Sequence, residues 1–380
     1  MEGAMRRLIR RTFWTVAGSL FGITLLLVWA MVSLRVPARL PPPTGPHAVG
    51  RMEFDWIDQS RLDPLSPGKQ NREIDVFLWY PAERPGTRRA TYLRDNWRRN
   101  LGLPFPWPTY IGIQTHSWED ASAIRTEGAP WPVVILSHGR GEVPVEYTSL
   151  AEQLASDGYI VASPANTYAG PTVVFPDGRI VKSEDDTSDL GRLLDACAGD
   201  IGTVLKQLAM LNEDSRSVFF QRIDLKRAGI VGHSWGGAAS AEFCSADDRC
   251  TAGVDLDGGL YGGAAHKGIP KPFLFLLGEG TPPYWLRAKM LVQPGLKAKW
   301  DELKKDEAAG YLIACNSSPK CRVERLGGVR HLNFGDLGIL FRRPLYWMHP
   351  MLGRVGGEEG VKITRQKLSE FLNRWVRQHS

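Results

Sequence analysis

Between residues 227 and 246 the chain reads RAGIVGHSWGGAASAEFCSA. An apolar run rich in branched side chains passes into glycines at 229, 232, 236 and 237, and then into a segment of small residues. Few backbone paths accept that order. A short apolar run bounded by turn signals reads as a buried strand. The small residues around the turn allow it to be tight and let a helix pack closely behind it. Gly232-His233-Ser234-Trp235-Gly236 spells G-x-S-x-G, and the strand–turn–helix setting is the one in which that pentapeptide presents a reactive serine. A serine that only caps the helix would leave the same trace, so the rest of the chain has to agree.

From residue 131 onward the pattern is regular. PVVILSHG (132–139), YIVASPA (159–165), RAGIVGHS (227–234), AGVDLD (252–257) and KPFLFLLG (271–278) are short apolar strands. Between them, Tyr147, Leu150, Ala151, Leu154 and Ala155 share one helix face, as do Leu190, Leu193, Leu194, Cys197, Ile201, Val204, Leu205 and Leu208. Thr187 or Ser188 is positioned to cap the second helix. ITRQKLSEFLNRWVRQ (363–378) closes the chain as a helix, and REIDVFLWYPAE (72–83) is an earlier strand ending at a proline. Strands alternating with amphipathic helices predict an α/β fold with a mainly parallel central sheet and helices on both faces. Nothing divides residues 49–380, and no internal repeat appears. Residues 91–121, rich in aromatics and proline, read as an irregular insert.

The N-terminus differs. Residues 1–12 hold four arginines, and Phe13–Leu34 carries no charge. That run is long enough for a transmembrane helix. The arginines before it keep the basic N-terminus in the cytoplasm, which places the catalytic domain in the periplasm or exterior. Cleavage near Val28-Trp29-Ala30 would instead make a secreted protein. Residues 35–48 read as a Pro-rich tether. Cys244/Cys250 and Cys315/Cys321 each enclose five residues, which in an exported chain predicts two small disulfide loops; Cys197, on a helix stripe, predicts a buried free thiol. Neither pair has zinc spacing, so no metal is expected. The net charge of +6 forms no basic stripe with interleaved aromatics, so no nucleic-acid partner is expected.

Ser234 needs an oxyanion site, an acid and a base. SHGRG (137–141) follows an apolar strand, and H-G-x-G there supplies backbone donors. The backbone N–H groups of Arg140 and Trp235 are the predicted oxyanion hole, with Gly232 and Gly236 allowing the elbow. Asp257 ends its strand before two glycines and is the predicted acid; Asp255, two residues deeper, and Glu279 are the other candidates. Among His266, His331, His349 and His379, His331 is the predicted base, set in the loop GGVRHLNFGDL. His233 precedes the serine on the elbow and should point away from its hydroxyl. The order Ser234, Asp257, His331 is that of the α/β-hydrolases.

The segments IDVFLWYPAE, PVVILSHGRG, LASDGYIVASP, GHSWGGA, GVDLDGG and GGVRHLNFGDL, in that order over residues 49–345, resemble the plasma-type platelet-activating-factor acetylhydrolases and their bacterial relatives. The His331-x-Asn333-Phe334 pattern is the most specific part. The resemblance implies an α/β-hydrolase fold, nucleophile Ser234, acid Asp257, base His331 and oxyanion donors Arg140 and Trp235. It also implies calcium-independent hydrolysis of short or oxidised acyl chains from phospholipids. The N-terminal apolar segment, the paired cysteine loops and the 91–121 insert depart from that family.

A serine esterase acting through an acyl-enzyme is therefore expected, with no cofactor and a small-molecule ester or phospholipid as substrate. Trp97, Phe105, Trp107, Tyr110, Tyr284 and Trp285 are candidates for an apolar lip around an acyl chain, or else ordinary core. The rival expectations are another hydrolase chemistry, such as dienelactone opening or acyl transfer, and a non-enzymatic surface protein on the same scaffold.

Overall fold

A computed structural model describes the chain except residues 1, 36, 67, 69, 102–109, 120, 125–128, 184–188, 281–288, 342–345, 347–348 and 379–380; the side chains of 2–4, 6–9, 26–27, 29–35 and 294 are likewise outside the description. After helix α1 (Glu2–Arg35) come strands β1 (Ala48–Leu62), β2 (Asn71–Ala82) and β3 (Arg89–Thr91), helix α2 (Asp95–Asn100) and β4 (Gln114–Glu119). The regular part follows: β5 (Trp131–Ser137), α3 (Thr148–Ser156), β6 (Ile160–Ala165), the hairpin β7 (Thr172–Val174) and β8 (Ile180–Lys182), and α4 (Leu190–Glu213). Then come β9 (Ile223–His233), α5 (Trp235–Ala246), β10 (Ala252–Leu256), α6 (Ala264–Lys267), β11 (Phe273–Leu277) and β12 (Cys321–Arg325), with helices Pro294–Cys315 and Gly357–Leu372 flanking the last strand.

Ten strands form one sheet in the order β12-β11-β10-β9-β5-β6-β2-β1-β4-β3. From β6 to β12 every pairing is parallel; β2 joins β6 antiparallel. Strands buried on both faces read as near-continuous apolar runs, and PVVIL shows why. Val134 and Leu136 face a core shared with α3 and helix Gly357–Leu372. Val133 and Ile135 face the opposite core, shared with α4 and α5. This is the mainly parallel α/β sheet with helices on both faces that the sequence predicts.

Both disulfides form. Cys244–Cys250 ties the end of α5 to the turn before β10, and Cys315–Cys321 ties helix Pro294–Cys315 to the start of β12. Cys197 is buried and free on α4, and burial pushes its thiol up to about 12.

Three expectations change, and one open choice is resolved. The segment after residue 36 is no free tether: Ala38 and Leu40 are buried, and the Arg365 guanidinium donates to the carbonyls of Pro41 and Pro42 at 2.8 and 2.9 Å. A proline lacks a donor but keeps its acceptor, and beyond the prolines Gln153 and Ser156 accept the N–H groups of Thr44 and Gly45 at 3.1 and 3.2 Å. Trp97 and Tyr110 are core rather than lip. Trp97 packs edge-on against Phe77 and donates its indole N–H to the Val174 carbonyl at 2.8 Å. Phe105, Trp107, Tyr284 and Trp285 lie outside the described residues. The cap of α4 is Asp189, which accepts the Arg192 N–H at 3.0 Å; Thr187 and Ser188 lie outside the described residues. Finally, α1 exposes Phe13, Trp14, Leu20 and Phe21. Among the described residues, however, no helix is long and apolar enough to cross a membrane, so the expected span is not supported. The side chains at 26–27 and 29–34, which complete the apolar run, lie outside the described residues.

The cysteine arrangement predicts one titratable thiol in protein denatured without reductant, and five after reduction. Thiol counting under the two conditions checks it, and five thiols without reductant would contradict both bonds.

Candidate active site

Ser234 sits between β9 and α5 with φ 52° and ψ −117°. A non-glycine residue at positive φ is strained by on the order of 1–3 kcal/mol and persists only where its surroundings force it. Here they do. The Ser234 N–H donates to the Leu256 carbonyl at 2.9 Å, and its own carbonyl accepts the Ala238 N–H at 3.1 Å. A Cβ on Gly232 would lie 2.0 Å from the Gly236 carbonyl oxygen, and one on Gly236 would lie 2.3 Å from that of Ser137. No side chain fits at either place. The two glycines of G-x-S-x-G are thus the contacts that let the elbow close.

Asp257 leaves the end of β10 and also takes positive φ, 52°. Its Oδ1 accepts the Gly278 N–H at 2.7 Å, while Oδ2 lies 2.8 Å from His331 Nδ1. His331 Nε2 lies 3.0 Å from Ser234 Oγ. The loop that brings His331 over the sheet is pinned by buried Asn333. Its Oδ1 accepts the N–H groups of Arg330 and Gly353 at 3.0 and 2.6 Å, and its Nδ2 donates to Tyr346 at 2.8 Å. Three residues far apart in sequence thus form one hydrogen-bonded line. It can take a proton from the serine as the oxygen attacks and hold the imidazolium that results.

Burial alone would raise the Asp257 carboxyl. The hydrogen bond and charge of His331, with the Gly278 N–H, outweigh it and leave the group below its ordinary value. Burial would likewise lower His331. The hydrogen bond and charge of Asp257, helped by Glu142, leave it above 6.5.

The other candidates are placed elsewhere. Asp255 lies beneath the elbow, fully buried; its Oδ1 accepts the Gly258 N–H at 2.6 Å and burial holds its carboxyl far above the usual range. Glu279 follows β11 and bonds through its backbone to Val329. His266 is on α6, His349 packs on Phe341, and His379 lies outside the described residues.

The loop after β5 passes beside the elbow. A Cβ on Gly139 would lie 3.1 Å from that of Ser234. The Arg140 N–H takes no partner among the described residues. Trp235 opens α5, so its N–H is among the helix donors without an intrahelical acceptor. The helix end also carries partial positive charge. These two N–H groups are the candidates for an oxyanion site. No group of His, Cys, Asp and Glu among the described residues could hold a metal ion.

The sequence reading did not single out Glu142 or Tyr147 as site residues, nor give His233 a role. Glu142 Oε2 accepts the Gly139 N–H at 3.1 Å and lies 3.1 Å from His233 Nδ1. Its position directly after H-G-x-G was the available signal.

Compared with known proteins, the chain matches the family described as platelet-activating factor acetylhydrolase, isoform II, over residues 35–175 and 199–379. Among curated relatives, the platelet-activating factor acetylhydrolase of Cavia porcellus is 28% identical over 369 residues, covering 89% of this chain and 78% of that protein. The enzyme of that name from Canis lupus familiaris is 25% identical, over 66% of this chain and 62% of its own length. A probable 1-alkyl-2-acetylglycerophosphocholine esterase of Arthroderma benhamiae is 28% identical, over 62% of this chain and 64% of its own. The chain thus spans a little under two thirds of two of these relatives. Among solved structures, a ferulic acid esterase from Streptomyces cinnamoneus superposes with TM-score 0.67 at 26% identity, covering 90% of this chain and 94% of that one.

The geometry predicts that His331 titrates above 6.5 in the wild type, and at a lower pH in Asp257→Asn, where only the smaller effect of the Glu142 charge opposes burial. NMR of protein labelled in its histidines checks both; an unchanged midpoint in the variant would show that Asp257 does not set it.

Proposed function

The chain belongs to the platelet-activating factor acetylhydrolase isoform II family, and from that premise we propose a serine carboxylic-ester hydrolase that works through an acyl-enzyme. The observation that carries the reading is the Ser234–His331–Asp257 hydrogen-bonded line standing on a strained elbow. Ser234 Oγ attacks the ester carbonyl carbon while its proton passes to His331 Nε2. Asp257, ionised beside the imidazolium, fixes its tautomer and stabilises its charge. The oxyanion is held by the N–H groups of Arg140 and Trp235, each donor contributing on the order of 3 kcal/mol. The C–O bond to the alcohol breaks, and that alcohol leaves with the proton from His331. Water then gives a proton to His331 and attacks the acyl carbon, releasing the acid and restoring Ser234.

The substrate class we propose is a short-acyl, lipid-like ester. The support is the pair of relatives named for acetylated ether phospholipids. The feruloyl esterase fold neighbour makes an aromatic acyl group the comparison to run beside it. We also propose that α1 associates with lipid, with the catalytic domain exported. The sequence of residues 13–34 and the exposed Phe13, Trp14, Leu20 and Phe21 support this. Full-length protein should then co-sediment with phospholipid vesicles while residues 40–380 stay in the supernatant, and equal partitioning of the two would sink the idea.

Hydrolysis of p-nitrophenyl acetate, butyrate, octanoate and laurate, with methyl ferulate alongside, tests the activity. Turnover should be greatest with the shortest chains. Ser234→Ala should lower kcat by on the order of 10⁴- to 10⁶-fold. Because only neutral His331 accepts a proton, kcat/KM should fall as pH drops through a value above 6.5. Equal turnover by Ser234→Ala would overturn the mechanism.

A further inference from the structure

Behind the base lies a second set of buried polar groups that none of these steps uses: Glu142, Tyr147 and His233, all nearly solvent-free. His233 Nε2 faces the backbone carbonyl of His331 at 2.9 Å. A carbonyl only accepts, so Nε2 carries the hydrogen and donates it. The two imidazole rings lie 4.5 Å apart, centre to centre. On the other side, His233 Nδ1 lies 2.5 Å from the Tyr147 hydroxyl and 3.1 Å from Glu142 Oε2, and Tyr147 also contacts that oxygen. Glu142 Oε2 in turn takes the N–H of Gly139, the residue before the oxyanion donor Arg140. A Cβ at 139 would lie 2.4 Å from Oε2, so any larger residue there would have to displace the carboxylate.

We infer that Glu142, Tyr147 and His233 are positioning residues that hold the base and the oxyanion loop in register from behind, an inference that rests on the hydrolase reading above. One carboxylate oxygen joins two loops that reach the site from different strands: residues 138–142 after β5, and the loop of residues 326–336 after β12 through His233. Leu332, Leu337 and Phe334 lie close by, with buried Glu146 the other charged side chain lining the space. An apolar filling of such a site is often as stable as a buried ion pair, so the polar network is explained by order rather than by stability. Glu142 fits the part of an anion: burial would raise its carboxyl, yet the charge and hydrogen bond of His233 hold it down to about 2. A base displaced by about an ångström loses on the order of 100-fold in rate, which is the scale on which such a prop acts.

The test uses the full chain and p-nitrophenyl butyrate. His233→Leu removes the donor to His331 at similar volume and should lower kcat by on the order of 10- to 100-fold, with little change in KM. His233→Gln can return an N–H to the same carbonyl and should recover most of the loss. The rate of labelling by a fluorophosphonate probe should fall and recover in step. Because the groups act as one unit, Glu142→Gln combined with His233→Leu should be no slower than the slower single variant. Near-ultraviolet circular dichroism confirms that each variant is folded. A folded His233→Leu with wild-type kcat, or a His233→Gln as slow as His233→Leu, overturns the inference. If His233→Leu does not fold, His233→Gln and Glu142→Gln decide, and wild-type kcat in Glu142→Gln overturns it. Absence of Ser234-dependent turnover in the wild type would instead strike the hydrolase reading.

Discussion

The backbone at Ser234 governs how the rest of the site is built. A serine at φ 52° and ψ −117° does not hold that conformation unaided. It is held because its N–H continues the ladder onto Leu256, and because Gly232, Gly236 and Gly237 let α5 press against β5 and β10. A Cβ at 237 would meet the Asp255 carboxyl at 2.1 Å, so even the residue beneath the elbow is part of the fit. The strain keeps the hydroxyl proud of the sheet and brings the first turn of a helix directly behind it. The proposed nucleophile and one proposed oxyanion donor, the Trp235 N–H, thus come from a single turn of chain.

Three carboxyl groups around this turn show how surroundings divide one chemistry into different states. Asp255 is fully buried with one backbone donor, and its Oδ2 finds no partner among the described residues; burial favours its neutral form. Asp257, two residues on, meets His331 and the Gly278 N–H and is held ionised. Glu142, from the loop after β5, is held ionised by His233. Depth alone does not separate them. What separates them is whether a cation or enough N–H donors are within reach, because desolvation penalises each of them in the same direction.

Much of this was legible in one dimension. The apolar runs at 132–136, 228–231, 252–256 and 273–277 become parallel strands because a strand covered on both faces needs no polar alternation. The even spacing of the cysteines foretold both disulfides. Chain order was enough to nominate Ser234, Asp257 and His331 as neighbours, and the structure brings those three within hydrogen-bond reach. Other residues were misread for a common reason: composition does not say what lies opposite. Pro41 and Pro42 read as linker until Arg365, more than three hundred residues away in sequence, is set against their carbonyls. For Trp97 the sequence leaves lip and core both open, and the Val174 carbonyl meeting its indole makes it core.

The sequence by itself determined the layered α/β order, the glycines that the elbow requires, and the residue types able to move a proton. These depend on local sterics and on periodicity, which a chain carries in its own spacing. Only the tertiary structure decided that Asp255 is buried beneath the elbow, that Glu142 and His233 stand behind His331, and that the proline-rich segment is docked. Those outcomes depend on which groups from distant strands share a buried volume of a few ångströms. There a hydrogen bond made or missed sets protonation, and no single stretch of chain contains both partners.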